Sequence, residues 1–388
     1  MKCNWTTKKL SEITYINPRE SLGKGVVAKK VPMDKLQPFC RDIPEFVLEE
    51  YKGGTKFRNG DTIMARITPC LENGKIAKVS VLRDGEVGFG STEYIVFRAI
   101  DGVSDADYLY YLICSPLVRN PAIKSMVGSS GRQRVQTDVV ANLDIELPPI
   151  EEQRKIGGLL KAIDDKIELN NAINNNLEQQ AKALYKDWFF DFSPFSSDGN
   201  LPDGWRLGTV GDIIQLHDSK RVPLSGAERD KMAKVYPYYG ATSLMDYVDN
   251  YLFDGVYLLL GEDGTVVDSL GFPILQYVYG QFWVNNHAHI ITGKEGFSVE
   301  ELYLFFSLTN IKSIVTGAVQ QKVSQQNLKK VPAIIPSKEA LSAFDEIIQP
   351  IFAQIRNLRD ENANLARLRD TLLPKLMSGE LDVSDIDL

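Results

Sequence analysis

Two polar segments, about 190 residues apart, carry the side chains best suited to chemistry in this 388-residue sequence. The first, 128–137, reads GSSGRQRVQT, and the second, 317–326, reads GAVQQKVSQQ. Arginine hydrogen-bonds the edge of guanine and glutamine that of adenine, whereas lysine, serine and threonine bind phosphate. Both segments are therefore candidate nucleic-acid contacts. The alternative is a solvated loop, which the occurrence of two copies disfavours.

The candidate DNA contacts fall in these two segments and in short basic stretches elsewhere. Within the segments they are Arg132, Gln133, Arg134, Gln136, Thr137, Gln320, Gln321, Lys322, Ser324 and Gln325. The other candidates are Lys24, Lys29, Lys30, Arg66, Lys220 and Arg221. For these basic residues the alternative is an ordinary solvated surface.

Sequence patterns that would indicate catalysis are missing. We find no Walker A phosphate loop, no Asn/Asp-Pro-Pro-Tyr/Phe motif of amino-methyltransferases and no helicase motif. Glu50 and Lys52 have a nuclease-like spacing, but a motif this short arises readily by chance. These absences predict a binding protein without catalytic residues.

The three histidines, His217, His287 and His289, do not predict a metal site. His287 and His289 would share one face of a strand, yet we expect no cysteine or pair of acidic residues nearby to complete a set of ligands. A structural role is therefore the expectation for all three, with no bound metal.

The net charge of −7, from 44 basic and 51 acidic side chains, argues against nucleic-acid binding only when the chain is taken whole. Residues 1–147 carry 21 basic and 18 acidic side chains, whereas residues 336–388 carry 6 and 10. A DNA-binding face needs local positive charge rather than a basic total. The charge therefore permits DNA binding without indicating it.

Three features of the sequence predict a cytoplasmic protein that does not bind membranes. The cysteines Cys3, Cys40, Cys70 and Cys114 have no paired short spacing, which fits reduced thiols. The N-terminus has no apolar segment of the kind that directs secretion. The uncharged stretch 269–293 is long enough to cross a bilayer, but its proline and many polar side chains predict strands and turns instead.

The elements that would position the two polar segments are themselves repeated. At a shift of 188 residues, 133–148 matches 321–336, and further upstream the shift is about 195, where Gly60 corresponds to Gly255. A period this long indicates duplication of a whole structural unit. Each copy mixes short strands with one or two helices, so the sequence predicts an α+β fold with two similar globular domains.

A long helical pattern follows each globular part, with apolar residues alternately four and three positions apart. This spacing is typical of a helix that packs on another helix. The predicted contact positions on the first helix are Ile156, Leu160, Ile163, Ile167, Asn174, Leu177 and Leu184. Those on the second are Phe344, Ile348, Ile351, Ile355, Asn362, Leu365 and Leu372. Asn174 and Asn362 correspond under the shift, and we expect these amides to fix the register.

The simplest partner for the first long helix is the second. A pseudo-twofold repeat would pair them as an antiparallel coiled coil between the domains, and some 35 residues at about 1.5 Å each would make a spacer of roughly 50 Å. The predicted divisions are a first domain at 1–148, a first long helix at 149–191, a linker at 192–204, a second domain at 205–336, a second long helix at 337–380 and a tail at 381–388.

Four segments carry a resemblance to a known family. They are 147–156 (LPPIEEQRKI) at the start of the first helix, 372–381 (LLPKLMSGEL) at the end of the second, and 60–69 and 236–242 inside the domains. Together they resemble the specificity (S) subunit of type I restriction-modification enzymes over the whole chain. The entry to the second helix departs from the pattern, because PSKEAL at 336–341 replaces Pro-Pro-x-x-Glu-Gln.

The resemblance implies two target-recognition domains, each reading one half of an interrupted double-stranded DNA sequence. It also implies methyltransferase (modification) subunits and a restriction/translocase subunit as partners, with S-adenosylmethionine, ATP and magnesium on those partners and no cofactor in this chain. Three alternatives remain. They are the specificity subunit of a related fused restriction-methylation system, an autonomous DNA-modifying enzyme, and a coiled-coil scaffold that does not bind DNA.

Overall fold

The computed structural model describes residues 4–129, 131–317 and 320–383 and divides into two compact units. The first unit is built from 1–171 and 359–388, and the second from 172–358. Both divisions fall inside long helices, so each unit contains one globular domain and half of each helix. Of the predicted segments, Ser130, Ala318, Val319 and the tail from residue 384 onward lie outside the described residues.

The first domain consists of short strands and short helices. In chain order they are β1 (Thr6–Lys9), α1 (Leu10–Ile13), β2 (Thr14–Ile16), β3 (Val27–Val31), β4 (Val47–Glu50), β5 (Thr55–Phe57), β6 (Thr62–Ala65), β7 (Ile76–Lys78), β8 (Gly88–Gly90), β9 (Tyr94–Ala99), α2 (Ala106–Cys114), α3 (Pro116–Lys124), α4 (Thr137–Ala141) and β10 (Asp144–Leu147). Two four-stranded sheets have the orders β2-β9-β6-β7 and β4-β3-β8-β5, and β1 pairs with β10. The central strand β6 is buried along its whole length, and three of its four residues, 63–65, are apolar.

The second domain follows the first long helix, α5 (Ile150–Phe189). Its elements are β11 (Arg206–Thr209), α6 (Val210–Ile213), β12 (Ile214–Leu216), α7 (Gly226–Arg229), β13 (Tyr236–Tyr239), β14 (Leu244–Val248), β15 (Phe253–Asp254), β16 (Tyr257–Gly261), β17 (Asp263–Gly264), β18 (Leu275–Val278), β19 (Gln281–Val284), β20 (Ala288–Gly293), α8 (Val299–Leu308), β21 (Gln321–Lys322), α9 (Gln325–Leu328) and β22 (Pro332–Ile335). The second long helix, α10, is Lys338–Met377. The sheets have the orders β12-β20-β16-β18 and β14-β13-β19-β15, with β11 paired to β22 and β17 to β21.

The two domains have the same construction, which confirms the predicted internal repeat. In each, the first strand pairs antiparallel with the strand before the long helix, with Thr6 opposite Leu147 and Arg206 opposite Ile335. Both also contain a sheet in which one neighbouring pair is parallel, β3 with β8 and β13 with β19. The uncharged stretch 269–293 forms strands β18 to β20. Among the helices described, none is long and apolar enough to span a bilayer.

In the first unit, the beginning of α5 packs against the end of α10. Ile156, Leu160, Leu376 and Met377 belong to one buried core together with residues of the domain. The buried Asn170 donates through Nδ2 to Glu361 and to the Asn362 side-chain oxygen, each at 2.9 Å. Residues early in α5 therefore meet residues late in α10, as the antiparallel arrangement requires.

In the second unit, the end of α5 packs against the beginning of α10. The ring of Phe344 lies 5.5 Å from that of Tyr185 and 4.9 Å from that of Phe189, measured between centroids. Ile348 and Ile355 continue the same core along α10. The same direction of pairing thus holds inside each unit, and the predicted antiparallel coiled coil is confirmed.

The predicted contact positions differ in how deeply they are buried. Ile156, Leu160, Ile163, Phe344, Ile348 and Ile355 are buried, and Ile167, Leu177, Leu184, Ile351, Leu365 and Leu372 are half-buried. Asn362 donates to the Asn171 side chain, so it takes part in an amide network of the first unit. Asn174 is buried in the second unit, and its side-chain oxygen has no partner in the part of the chain that is described.

Each unit also buries a triad of tyrosine, carboxylate and arginine where its domain meets the helices. In the first unit, the Tyr111 hydroxyl donates to Asp164 at 2.7 Å, and Arg369 Nη1 donates to the same carboxylate at 2.8 Å. In the second, Tyr277 donates to Glu300 at 2.6 Å, and Arg356 donates to both. Burying a charge is costly unless it is paired and hydrogen-bonded. In each triad the three groups, which come from three different elements, therefore depend on one another for their pairing.

A second buried carboxylate in the second unit has an incomplete set of partners. Glu301 occupies the first turn of α8 and is fully buried. One of its oxygens accepts from Ser298 N–H at 2.7 Å, but the other, Oε1, has no partner among the described residues. Burial is the main cause that raises the pKa of Glu301 to about 8. The folded protein therefore holds a proton here at neutral pH.

We expect Glu301→Gln to flatten the dependence of stability on pH. Because the folded pKa lies above the unfolded value of about 4.3, the contribution of Glu301 is greatest at acidic pH and is lost as the pH rises from there through 8. Relative to wild type, E301Q should gain on the order of 4 kcal/mol between pH 5 and pH 9, measured by urea unfolding. The exposed Glu339→Gln is the matched control, and an unchanged pH slope in E301Q would contradict the expectation.

Candidate nucleic-acid interface

The first polar segment forms a narrow hairpin against the end of β6. Arg134 and Val127 exchange both backbone hydrogen bonds, Arg134 N to Val127 O at 2.9 Å and Val127 N to Arg134 O at 3.0 Å. On the other side, Val135 N donates to Arg66 O at 2.8 Å. The segment is therefore a short strand held on both sides rather than a free loop.

The second polar segment has the same backbone pairing. Lys322 and Thr316 exchange hydrogen bonds of 2.7 and 2.9 Å, and Val323 N donates to Glu262 O at 2.8 Å. Lys322 thus corresponds to Arg134, and Glu262 corresponds to Arg66. The structure places the two segments at equivalent points of the two domains, as the repeat predicted.

A glycine in a left-handed conformation begins each hairpin. Gly128 has φ +136°, and a Cβ atom there would lie 2.9 Å from the Arg132 carbonyl oxygen. Gly317 has φ +87°, and a Cβ atom there would collide with the Gln320 carbonyl oxygen. Only glycine fits a backbone that turns this tightly on itself. The glycines in the two sequence motifs are explained by this turn.

An acidic side chain holds the central cation of the first hairpin. Arg134 Nη2 lies 2.6 Å from Glu93 Oε1, and its Nε lies 2.9 Å from Oε2. The Nε of Arg66 lies 3.5 Å from the same carboxylate. The hydrogen bond from Arg134 is the main cause that lowers the pKa of Glu93 below its ordinary value. Sequence reasoning selected both arginines but missed Glu93.

The second hairpin also has an acid beside its cation, but the acid comes from another strand. Lys322 Nζ lies 3.5 Å from Glu262 Oε1. The position of Glu93 belongs here to His287, because Arg66 N donates to Glu93 O just as Glu262 N donates to His287 O. The acid beside the hairpin cation therefore comes from different strands in the two domains, from the position of Glu93 in the first and from the position of Arg66 in the second.

A buried polar network supports the second hairpin from below. His289 is fully buried, with Nδ1 2.6 Å from Asp218 Oδ2 and Nε2 2.8 Å from the Val323 carbonyl oxygen. Gln325 Nε2 donates to Asp218 at 2.5 Å. Burial raises the pKa of Asp218, but the hydrogen bonds from His289 and from Ile290 N–H outweigh it, so the pKa lies below its ordinary value.

The expectation that no pair of acidic residues lies near the histidines was wrong. The fold brings Asp218 and Glu262 to His289, with one ligand atom from each within 4.8 Å of the others, and Asp263 to 2.5 Å from His287. Strand pairing across 71 residues of sequence made this proximity invisible in the sequence. The Arg221 guanidinium already supplies positive charge to both acids, at 2.6 Å from Glu262 and 3.7 Å from Asp218.

The other predicted DNA contacts fall into two groups, those whose side chains bond to other parts of the protein and those whose side chains do not. Lys29 pairs with Glu86, Lys30 with Glu49, and Arg221 donates to Glu262 and to the Asp218 and Ala288 carbonyl oxygens. Gln136 donates to Ser125 O, and Ser324 caps α9. Within the described residues, no side-chain partner is found for Lys24, Arg132, Gln133, Thr137, Lys220, Gln320 and Gln321.

Comparison with known proteins agrees with the duplicated fold. A crystal structure of the S subunit of a type I restriction-modification system from M. genitalium superposes with a TM-score of 0.55 at 16% identity, over 96% of each chain. This likeness concerns the fold alone, a pair of α+β domains joined through long helices.

The family follows from sequence. The model of the type I restriction modification DNA specificity domain matches twice, at residues 4–179 and 202–367. The chain is 27% identical to the type I restriction enzyme MjaIX specificity subunit of Methanocaldococcus jannaschii, over 74% of this chain and 71% of the relative. It is 24% identical to the HindI specificity subunit of Haemophilus influenzae, over 84% and 87%. The chain belongs to the type I restriction-modification DNA specificity family.

Proposed function

We propose that this chain is the non-catalytic DNA-recognition subunit of a type I restriction-modification complex. Each unit reads one half of an interrupted double-stranded target, and the chain recruits methyltransferase subunits and a restriction/translocase subunit. S-adenosylmethionine, ATP and magnesium belong to those partners. The observation that carries the proposal is the hairpin repeated at equivalent points of two DNA specificity domains, each with a cation at its centre.

The charges around the hairpins support contact with DNA. In the first unit Arg132, Arg134 and Arg66 lie within one short stretch of paired backbone, and Gln133 adds an amide. Cations positioned beside amides provide both phosphate contacts and base-edge contacts. The domains need no reactive group for this role, because the chemistry is done by other chains.

The direct test is to map methylation. We expect DNA from cells that express this chain with its methyltransferase partner to be methylated at one bipartite motif with an unspecified spacer. The purified chain with S-adenosylmethionine should transfer no methyl group, and it should gain activity only when the methyltransferase subunit is added. Methylation or cleavage of DNA by the chain alone would favour the autonomous enzyme and contradict the proposal.

Replacing the hairpin side chains should weaken specific binding while the complex still assembles. We expect Gln133→Ala with Arg134→Ala, or Gln321→Ala with Lys322→Ala, to cost about 1–3 kcal/mol for each base that the variant no longer hydrogen-bonds. Binding to a duplex that contains the methylated motif measures the change. Lys52→Ala, which removes a cation with an 81% exposed side chain elsewhere in the first domain, is the control. Unchanged affinity and motif in both double variants would make the hairpins ordinary surface.

A further inference from the structure

The acid beside the hairpin cation has a role that goes beyond charge balance. We infer that Glu93 is a positioning residue, which holds the Arg134 guanidinium so that its free edge reads a guanine in the half-site of the first unit. The inference rests on the proposed function and assigns one base pair of the target to one side chain. In the second unit Glu262 lies 3.5 Å from Lys322, although its carboxylate accepts its hydrogen bond from Arg221.

The geometry of the guanidinium separates its two edges. Arginine has five N–H groups in a rigid plane. Glu93 takes the side edge, since both its oxygens lie within 3.0 Å of Nε and one lies 2.6 Å from Nη2. The end edge, with Nη1 and the second N–H of Nη2, bonds no other acceptor in the described part of the chain. Two parallel donors at this spacing match O6 and N7 of guanine in the major groove.

Exposure and backbone support keep this free edge available to a partner. The Arg134 side chain is 43% exposed, whereas that of Glu93 is 22% exposed, so the acid lies beneath the cation. The backbone of Arg134 is fixed on one side by two hydrogen bonds to Val127, and the neighbouring Val135 is bonded to Arg66. A side chain fixed before binding loses less conformational entropy when the complex forms.

Protein stability is a weak reason for both units to keep such a pair. The side chains of Arg134 and Glu93 are 43% and 22% exposed, and ion pairs that solvent reaches contribute little to stability. The second unit nevertheless keeps an acid beside its hairpin cation, and it does so from the opposite strand, with Glu262 in place of Arg66 and His287 in place of Glu93. The two hairpins thus share the acid–cation pair and differ in which strand supplies the acid. If the acid were only a residue inherited from the duplication, it would stand at the same position in both units. A need for an acid beside the hairpin cation explains the two positions better.

Charge masking is the rival explanation, and one substitution separates the two. If Glu93 only neutralises Arg134, then Glu93→Gln frees a cation and strengthens binding to every sequence. If Glu93 aims the guanidinium, the isosteric Gln loosens it and weakens discrimination at a single base pair. Arg134→Lys keeps the positive charge and removes the planar fork. It should therefore relax the same position of the methylated motif as Glu93→Gln, whereas its affinity for random DNA should differ from that of Glu93→Gln.

The experiment uses the full chain in complex with its methyltransferase subunit, with methylome sequencing as the readout. Wild type should show a G·C pair at one position of the first half-site. Arg134→Ala, Arg134→Lys and Glu93→Gln should each relax that position, by about 5- to 150-fold in the ratio of methylation at G to methylation at other bases. The double variant Glu93→Gln with Arg134→Ala should be no worse than Arg134→Ala alone, because both act through one contact. The second half-site should not change.

Three results would overturn the inference while leaving the proposed function intact. One is a complete wild-type bipartite motif that is unaltered in Arg134→Ala. Another is an Arg134→Ala variant whose affinity falls equally for all DNA sequences and depends less on salt, because this behaviour marks a phosphate contact. The third is a Glu93→Gln complex that binds all DNA more tightly with its motif unchanged. Absence of any bipartite motif in wild type would instead contradict the proposed function itself.

Discussion

Exchanging residues 1–147 for the first domain of another family member will change one half of the methylated motif and leave the other half unchanged. Each unit has its own core and its own hairpin, and no residue of the first hairpin belongs to the second unit. Recognition by one unit therefore depends on side chains that the exchange replaces together. Methylome sequencing of cells that carry the chimaera with its methyltransferase subunit measures the result.

The structure specifies which donor domains are suitable. Arg41 donates to Asp165 at 2.5 Å and to Glu168 at 2.7 Å, and Tyr111 donates to Asp164. These carboxylates belong to α5, which stays in the chimaera, and they would lose their partners if the donor domain lacked an arginine and a tyrosine at these places. A donor that supplies both is the appropriate choice, and the reciprocal exchange of residues 205–336 is the control. A change in both halves of the motif after either exchange would refute independent recognition.

The duplicated architecture was predictable because it leaves periodic marks along the chain. Helix packing requires apolar residues at alternate steps of three and four, and strand pairing at each domain end requires matched segments, so the patterns recur at a shift of 188 to 195 residues. The polar hairpins were located for the same reason. Their glycines, Gly128 and Gly317, stand where the backbone turns tightly.

The depth of burial along the helices could not be predicted from the heptad pattern alone. On the second half of α5, Tyr185 and Phe189 are more deeply buried than the predicted Leu177 and Leu184. The reason is that the helix packs on its domain as well as on α10, so the buried face is wider than a two-helix contact. A heptad pattern with two apolar positions per seven residues describes only the part of the buried face that contacts the other helix.

The partners of the charged residues were beyond sequence reasoning for a different reason. Arg134 meets Glu93 across 41 residues, and His289 meets Asp218 across 71. Such pairs form because strand order brings distant segments together, and single residues of opposite charge leave no periodic pattern. The correspondence is also hidden because the acid stands at different aligned positions in the two repeats: Glu262 aligns with Arg66, and Glu93 aligns with His287.

The same limitation concealed the buried triad whose loss should affect the fold most. Asp164→Ala leaves Arg369 with an 11% exposed side chain near the vacated position and removes the acceptor of the Tyr111 hydroxyl. Breaking a buried pair by removing one partner costs about 3–5 kcal/mol, and we expect the lower end of this range because Arg369 keeps its ion pair with the exposed Asp370 at 2.9 Å. We expect amide hydrogen exchange to accelerate throughout the first unit, with the second unit little changed.

The double variant Asp164→Leu with Arg369→Met tests whether the cost comes from the buried charge of Arg369 or from the lost hydrogen bonds of the triad. Because apolar residues of similar size often replace a buried ion pair without loss of stability, the double variant should recover most of the stability that Asp164→Ala loses. Asp187→Ala, an exposed acid on the same helix, should have little effect. If the double variant is as unstable as Asp164→Ala, the triad stabilises the first unit through its hydrogen bonds. Recovery would show that Asp164 is needed mainly because Arg369 is buried beside it.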